Sequence, residues 1–517
     1  MTVPKFFPGE ETTHVPSPFV KENTFLTQPS ETEAVPTYEE IRDLLPEPFW
    51  DGHEDTLEAY TFAWKTAFGN LRVPTPGSGF VSRFIDAAFN GYTFMWDSSF
   101  MLMFGKYGIR AFDFQKTLDN FYSHQHPDGF ISREIHEQDG SEKFTRFDPV
   151  STGPNILPWS EWEYFLSTGN VDRLRRVFPP LLAYHTWLMQ NRTWRDGTYW
   201  SSGFGCGMDN QPRLPEGANV FYSHGHMVWA DACFQMLLSG GILIRMARLL
   251  GRENDVLPLI KEQEHLGKIV NECLWDEESA FYYDLWPDGR LNMVKSVGSY
   301  WALLTDVVPK NRMDAFVAHL ENVREFNRPH RVPSLSADHP AYDPHGAYWC
   351  GGVWAPTSYM VLRGLDKHGF RDLAYEIARS SVENVTAVYK ETGTLFENYA
   401  PEFVDRGRQT LADGSVRPLS KPDFVGWSGL FPITFLFEFV FGLRPDAAAG
   451  TLVWDVRRTE KHGVRRYPFG AEGLLSLQCE QRASETDKPC ITVHSNVPLT
   501  LEILWAGGRE TMNVLPE

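Results

Sequence analysis

Two acids sit in non-helical, glycine-bearing stretches where their chemistry invites a second reading beside the structural one. Asp209 lies in the glycine-punctuated stretch GFGCGMDNQPRL (203–214), and Glu397 lies far downstream in ETGTLFENYAPE (391–402). Neither segment has helical periodicity, so neither acid reads as a charge on a helix face. Asp209, followed by Asn210 and Pro212, also suits an Asx turn or an N-cap, because a short carboxyl bonds nearby backbone. Glu397 is more telling. Glu is poorly suited to tight turns, yet it sits among Gly393, Phe396, Asn398, Tyr399 and Pro401. Burial in such surroundings lifts a carboxyl's pKa toward the range useful for proton transfer. Two carboxyl groups on opposite faces of a sugar are what glycosidic hydrolysis needs. One protonates the leaving oxygen, and the other attacks the anomeric carbon or activates a water, according to their separation.

Other residues offer supporting chemistry. In MWDSSF, Trp96 and Asp97 read either as a core aromatic followed by an N-cap or as a sugar platform beside a carboxylate. HQHPDGFISRE supplies Gln125, Asp128 and Arg133, a mixed set suited to hydroxyls or a substrate carboxylate. Arg213 is the stronger anion candidate, since a guanidinium grips a carboxylate bidentately; its structural alternative is a salt bridge ordering the loop. Trp349, Trp354, Tyr399 and Trp427 are candidate pocket walls. Cys206, three residues before Asp209, either lines the site or packs. His224 and His226 stand two apart but lack a third ligand at metal spacing. GFGCGMDN lacks the Lys-Ser/Thr and the preceding strand of a phosphate loop.

Positioning such groups falls to a helical body. EDTLEAYTFAWKTAFGNL, DSSFMLMFGKYG (with Asp97 as N-cap) and AFDFQKTLDNFYSHQ begin a series. It continues near 153–168, 172–193, 226–250, 253–274, 295–306, 310–321, 353–366, 369–388 and 426–442, about twelve helices in all. Long loops rich in Asp, Gly and Trp alternate with short, bland connections such as STGNVDR and DKHGFRD. Six helical hairpins closing into an (α/α)6 toroid satisfy that asymmetry, with the long loops meeting at one end. The expected organisation is an extended arm over 1–50, a barrel over 51–445 and a β-rich region over 446–517. In the last, TLVWDV, GLLSLQCE and ITVHSNVPLTLEILWAG alternate like strands.

Composition narrows the partners. A net charge of −19 is opposed to a nucleic-acid backbone. The longest apolar stretches, FQMLLSGGIL and LFPITFLFEFVFGL, read as buried helices rather than bilayer spans. Six scattered cysteines and an N-terminus without an apolar leader point to the cytoplasm. Aromatics make up 14% of the chain, which suits a carbohydrate as partner. A homo-oligomer is compatible with all of this.

The order of motifs resembles glycoside hydrolase family 63, in particular its short members of the mannosylglycerate hydrolase type. The likeness runs over about 55–440 and is carried by YTFMWDSSF (92–100), GMDNQPR (207–213), GGVWAP (351–356), FENYAPE (396–402) and GWSGL (426–430). It implies that Asp209 is the general acid and Glu397 the general base of an inverting mechanism on an (α/α)6 barrel. It places Tyr92, Trp96 and Asp97 at the sugar. Gln211 stands where the family pattern has Ser, and Ala400 where it has Asn. The reading is thus an inverting glycosidase on an α-linked glucoside or mannoside, such as a glycosylglycerate or a short oligosaccharide. That chemistry needs no cofactor or metal, and direct attack by water expects the two carboxyls about 6.5–9.5 Å apart. The rivals are an epimerase or uronide-acting enzyme using His224, His226 or His345 on the same toroid, and a non-catalytic sugar-binding protein.

Overall fold

Each of the twelve expected segments is helical in the computed structural model, which describes residues 15–87 and 90–517. The first 14 residues of the expected arm lie outside the described residues.

Six segments bury most of their surface: Met95–Gly105, Leu157–Thr168, Ala230–Leu250, Val297–Leu304, Ala355–Lys367 and Phe431–Val440. Two of these are not α-helices. Val297–Leu304 winds as a 3₁₀ helix from a Ser296 cap whose side chain accepts from the Gly298 N–H. Phe431–Val440 is a wider π-helix, every residue of it buried. Met95–Gly105 packs on Leu157–Thr168, that on Ala230–Leu250, then Val297–Leu304 and Ala355–Lys367. The turn Ser428–Leu430, which leads into the π-helix, touches both Ala355–Lys367 and Met95–Gly105. Amphipathic partners such as Val171–Asn191, Leu257–Cys273 and Arg371–Thr392 lie against these segments, each burying one stripe.

The apolar stretch FQMLLSGGIL proves to be the middle of a longer element. Ala230–Leu250 is one 21-residue helix, long and apolar enough by length and composition to cross a bilayer. Its environment is nevertheless the protein core, between Leu157–Thr168, Val171–Asn191 and Leu257–Cys273. At Gly240 a Cβ would meet the Gln263 side-chain amide at 2.3 Å and the His185 ring at 3.3 Å.

Beyond the last helix the chain forms two four-stranded sheets. One joins Leu443–Asp446, Thr451–Asp455, Leu499–Trp505 and Gly508–Val514; the other joins Glu47–Trp50, His462–Phe469, Gly473–Cys479 and Ile491–Ser495. The second sheet therefore takes a strand from the arm, with Glu47 opposite Arg465 and Trp50 opposite His462. Elsewhere the arm is tied to the body by Asn23. Its amide donates to Tyr122 O and to Gln125 Oε1, both at 2.9 Å.

Candidate active site

Glu397 follows the Arg371–Thr392 helix, which ends at Gly393 in the left-handed conformation, φ +72°. Its backbone is held on both sides. The N–H donates to Lys421 O at 2.9 Å, and the carbonyl accepts from Trp427 Nε1 at 3.0 Å. Next to it, Ser420 Oγ accepts from the Asn398 N–H at 2.8 Å. The residue is only 3% exposed. Tyr348 donates its hydroxyl to Oε1 at 3.0 Å, and the Lys421 N–H reaches Oε2 at 3.4 Å. Burial pushes Glu397 up to about 7, while those two hydrogen bonds and the Lys421 charge oppose the rise by favouring the anion.

Asp209 stands in the long loop before Ala230–Leu250, and its neighbours pin that loop across the site. Asn210 Oδ1 accepts from the Trp349 N–H and its Nδ2 donates to Ala347 O, both at 2.8 Å. Gln211 donates to Ser334 O at 2.6 Å and accepts from Ser296 Oγ at 2.8 Å. Gly207, at φ +81°, lies against the Trp96 indole, where a Cβ would come within 3.3 Å of Cε2. Asp209 is partly open to solvent, yet its carboxyl too is pushed up to about 7. Burial is the largest cause; Glu397 and Glu134 add to it, and Arg133 opposes it.

Asp97 completes a group of three acids. The same surroundings act on it: burial drives its pKa well above the usual carboxylate range, with Glu397 and Glu134 adding and Arg133 opposing. It is not the N-cap of its helix, a place taken by Phe94, but a residue of the first turn. Asp97 Oδ1 and Trp96 Nε1 are buried and have no hydrogen-bond partner among the described residues. Arg133 joins the group, with Nη1 donating to Phe204 O at 2.8 Å and Nε 3.2 Å from Glu134. Tyr92 lies at the rim, between the His136 ring at 4.9 Å and the Lys143 ammonium at 5.1 Å.

Several expected substrate contacts are engaged elsewhere. Arg213 is a structural residue. Its guanidinium bonds Asp231 at 2.6 and 2.8 Å and Asp284 at 2.8 and 2.7 Å, and lies over the Trp229 ring. Both carboxylates are buried, so Arg213 neutralises them rather than facing a substrate anion. Gln125 donates to Gly129 O and Pro180 O while accepting from Asn23. Asp128 accepts from Trp187 Nε1 and pairs with Arg146. Both hold the loop that precedes Arg133.

The expected pocket walls also stand one layer back. Trp349 and Trp354 stack with centroids 3.9 Å apart and 2° between planes, at 1% and 0% exposure. Trp354 Nε1 donates to Tyr348 O. Tyr399 keeps its hydroxyl as the acceptor of the Phe396 N–H, and Trp427 holds the Glu397 carbonyl. These aromatics pack around the Tyr348 and Glu397 segments and hold their backbone. Cys206 is buried, and desolvation pushes its thiol up to about 12, which makes it a packing residue. His224 and His226 pack edge-on at 4.6 Å and lie near Trp194, and His345 stacks on Phe403.

Sequence reasoning missed Tyr348 and Glu134. Tyr348 adjoins the expected Trp349, but its hydroxyl is aimed by a backbone at φ +66°, following Gly346 and Ala347 that also have positive φ. Only the Gly-Ala-Tyr run hinted at it. Glu134 is fully buried in the strand Glu134–His136, next to Arg133 and Lys143.

A cavity of about 500 Å³ opens elsewhere, under the arm, lined in part by Glu31, Arg83, Phe112 and Lys116. Glu31 pairs there with both Arg83 and Lys116, which makes the cavity a seam between arm and body.

Comparison with known proteins points to one chemistry. The family model described as the mannosylglycerate hydrolase MGH1-like glycoside hydrolase domain matches residues 91–408. A mannosylglycerate hydrolase of Thermus thermophilus is 24% identical over 394 residues, 61% of this chain and 90% of its own. A probable mannosyl-oligosaccharide glucosidase of Schizosaccharomyces pombe is 21% identical over 295 residues, covering 50% of this chain and 34% of that one. Among solved structures, a GH63 mannosylglycerate hydrolase of Thermus thermophilus in complex with glucose superposes with a TM-score of 0.58 at 20% identity. That match covers 73% of this chain and 99% of the other, and it shows a shared fold.

Proposed function

Because the chain belongs to the MGH1-like glycoside hydrolase family, we propose that it cleaves an α-linked glucoside or mannoside with inversion, Asp209 acting as general acid and Glu397 as general base. One observation carries the assignment: the two acids have unequal support. Tyr348 and the Lys421 N–H both donate to Glu397, so its anion is the one that forms first. Once Glu397 is ionised, its charge keeps the proton on Asp209. Pairs of carboxyls whose surroundings separate their protonation in this way divide into a base and an acid.

In the reaction, Asp209 gives its proton to the glycosidic oxygen as the bond to the anomeric carbon lengthens. Glu397 takes a proton from a water that attacks the opposite face, and the sugar leaves with inverted configuration. Asp97 Oδ1 and Trp96 Nε1 carry hydrogen-bonding capacity that the described protein groups do not use, which suits the hydroxyls of the sugar being cleaved. The six buried segments and their amphipathic partners are read as an (α/α)6 toroid. The sequence of contacts from Met95–Gly105 through Ala355–Lys367 and back by way of Ser428–Leu430 supports it. Six free cysteines support a reducing compartment.

The test is an NMR-monitored digest of paired α-glucosides and α-mannosides. The β-anomer of the free sugar appears first, and Glu397→Gln produces none. First release of the α-anomer overturns inversion, and turnover by Glu397→Gln removes that residue as base.

A further inference from the structure

Arg133 immediately precedes the strand Glu134–His136 and reaches two elements of the site at once. Its backbone serves the first. The Arg133 carbonyl accepts from the Met95 N–H at 2.9 Å. Met95 opens the helix that carries Trp96 and Asp97, and the first amides of a helix have no partner within it. In the adjoining ladder Phe94 stands opposite Glu134, which sets the start of that helix on the strand. The Arg133 N–H donates in turn to Ser151 O at 3.1 Å, so the residue is held from both sides.

Its side chain serves the second element. Nη1 donates to Phe204 O at 2.8 Å, and the guanidinium lies 4.9 Å from the centre of the Phe204 ring. The same carbonyl accepts from the Gly207 N–H at 3.1 Å. Arg133 therefore grips the turn just ahead of Asp209, the turn whose Gly207 lies against the Trp96 indole. One carbonyl and one guanidinium join the loop of Asp209 to the helix of Asp97.

A guanidinium engaged in this way has little left for a ligand. Nε lies 3.2 Å from Glu134 Oε1, and the residue is only 7% exposed. Glu134 is itself shared, because Lys143 takes its Oε2 at 2.7 Å. Two cations against one carboxylate leave net positive charge beside the acid. The groups that face Asp209 are Arg133 and Glu134, then Glu397 and Tyr348 from two downstream segments, and Cys206 on its own loop. Arg133 is the cation of that set, and it holds the Asp209 pKa down against burial. Glu397 answers instead to Tyr348 and Lys421.

We propose that Arg133 is the positioning residue of the general acid: clasped to the Phe204 carbonyl, it fixes the Asp209 loop against the helix of Trp96 and Asp97, sets a positive charge beside the acid and does not contact substrate. The proposal rests on Asp209 being the general acid.

The experiment records pH profiles of kcat and KM on the full chain with two substrates of one glycosyl type. The leaving sugar of an α-linked disaccharide needs a proton, whereas the fluoride of an α-glycosyl fluoride needs little help. Wild type, Arg133→Met, Arg133→Lys, Glu134→Gln and Asp209→Asn are compared, with circular dichroism to confirm folding. Arg133→Met lowers kcat on the disaccharide at least about tenfold more than on the fluoride, with KM kept within about twofold. The basic limb of kcat/KM, where the acid loses its proton, moves up by on the order of one unit, and the acidic limb stays. Arg133→Lys, which keeps the charge and gives up the planar fork, returns that limb toward wild type. Glu134→Gln removes the opposing charge and moves it down, which keeps the sign testable where Arg133→Met does not fold. A raised KM with kcat kept returns Arg133 to the substrate and overturns the proposal. Equal losses on both substrates, or a basic limb that fails to move in these directions, overturn the positioning role and leave the acid pair standing. Wild-type turnover of the disaccharide by Asp209→Asn sinks the acid assignment and the proposal with it.

Discussion

Tyr348 donates its hydroxyl to Glu397 Oε1 across 3.0 Å from a backbone at φ +66°, a region that a bulky side chain seldom occupies. Such a conformation costs about 1–3 kcal/mol and persists where its surroundings dictate it. Here Asn210 anchors Ala347 O and Trp354 anchors Tyr348 O. The loop bearing Asp209 thus fixes the residue that hydrogen-bonds Glu397.

Replacing Tyr348 by Phe removes a hydrogen bond that favours the Glu397 anion. Glu397, already raised to about 7, rises further. The acidic limb of the kcat profile therefore moves to higher pH, by on the order of one unit, and activity below neutrality falls most. A limb that stays in place or moves down would show that Tyr348 does not tune the base.

The two carboxyls separate when the leaving group needs no proton. Asp209→Asn loses about 10²–10⁴-fold on a sugar leaving group and recovers much of that on a nitrophenyl glycoside. Glu397→Gln stays inactive on both, because water still has to be deprotonated. Identical losses across the two substrates in Asp209→Asn would remove it as the acid.

Arg213→Met leaves Asp231 and Asp284 buried without their cation, which costs about 3–5 kcal/mol. A urea titration reads this as a lowered midpoint. A variant of normal stability with a raised KM would return Arg213 to the substrate.

At Gly207, alanine meets both a positive φ and the Trp96 ring. Gly207→Ala loses turnover through displacement of Trp96 and the Asp209 loop, and loses about 1–3 kcal/mol of stability. Wild-type kinetics in that variant would mean the contact does not position the site.

What the sequence disclosed follows the range of each signal. The 3.6-residue pattern located helices such as Arg371–Thr392, loop composition marked Asp209 and Glu397 as acids out of place, and the family resemblance favoured Asp97 as a sugar contact over an N-cap. Pattern alone did not distinguish a 3₁₀ or π winding from an α-helix at Val297–Leu304 or Phe431–Val440, because all three bury apolar residues at similar spacing. Partners far apart in the chain were equally hidden. Arg213 resembles a substrate-binding arginine until Asp284 closes on it, and Glu438 resembles an apolar helix's stray charge until Lys106 and Arg363 meet it in the core. Glu47–Trp50 contains a proline and only four residues, too short for alternation to register.

That short strand imposes an order on the birth of the molecule. Glu47–Trp50 leaves the ribosome early, but the edge it must join, His462–Phe469, is made on the order of 400 residues later. At about 5–20 residues per second, the first strand waits tens of seconds for the last sheet. The helical body is synthesised in the interval, so the N-terminal segment is sealed against the sheet as one of the final acts of assembly.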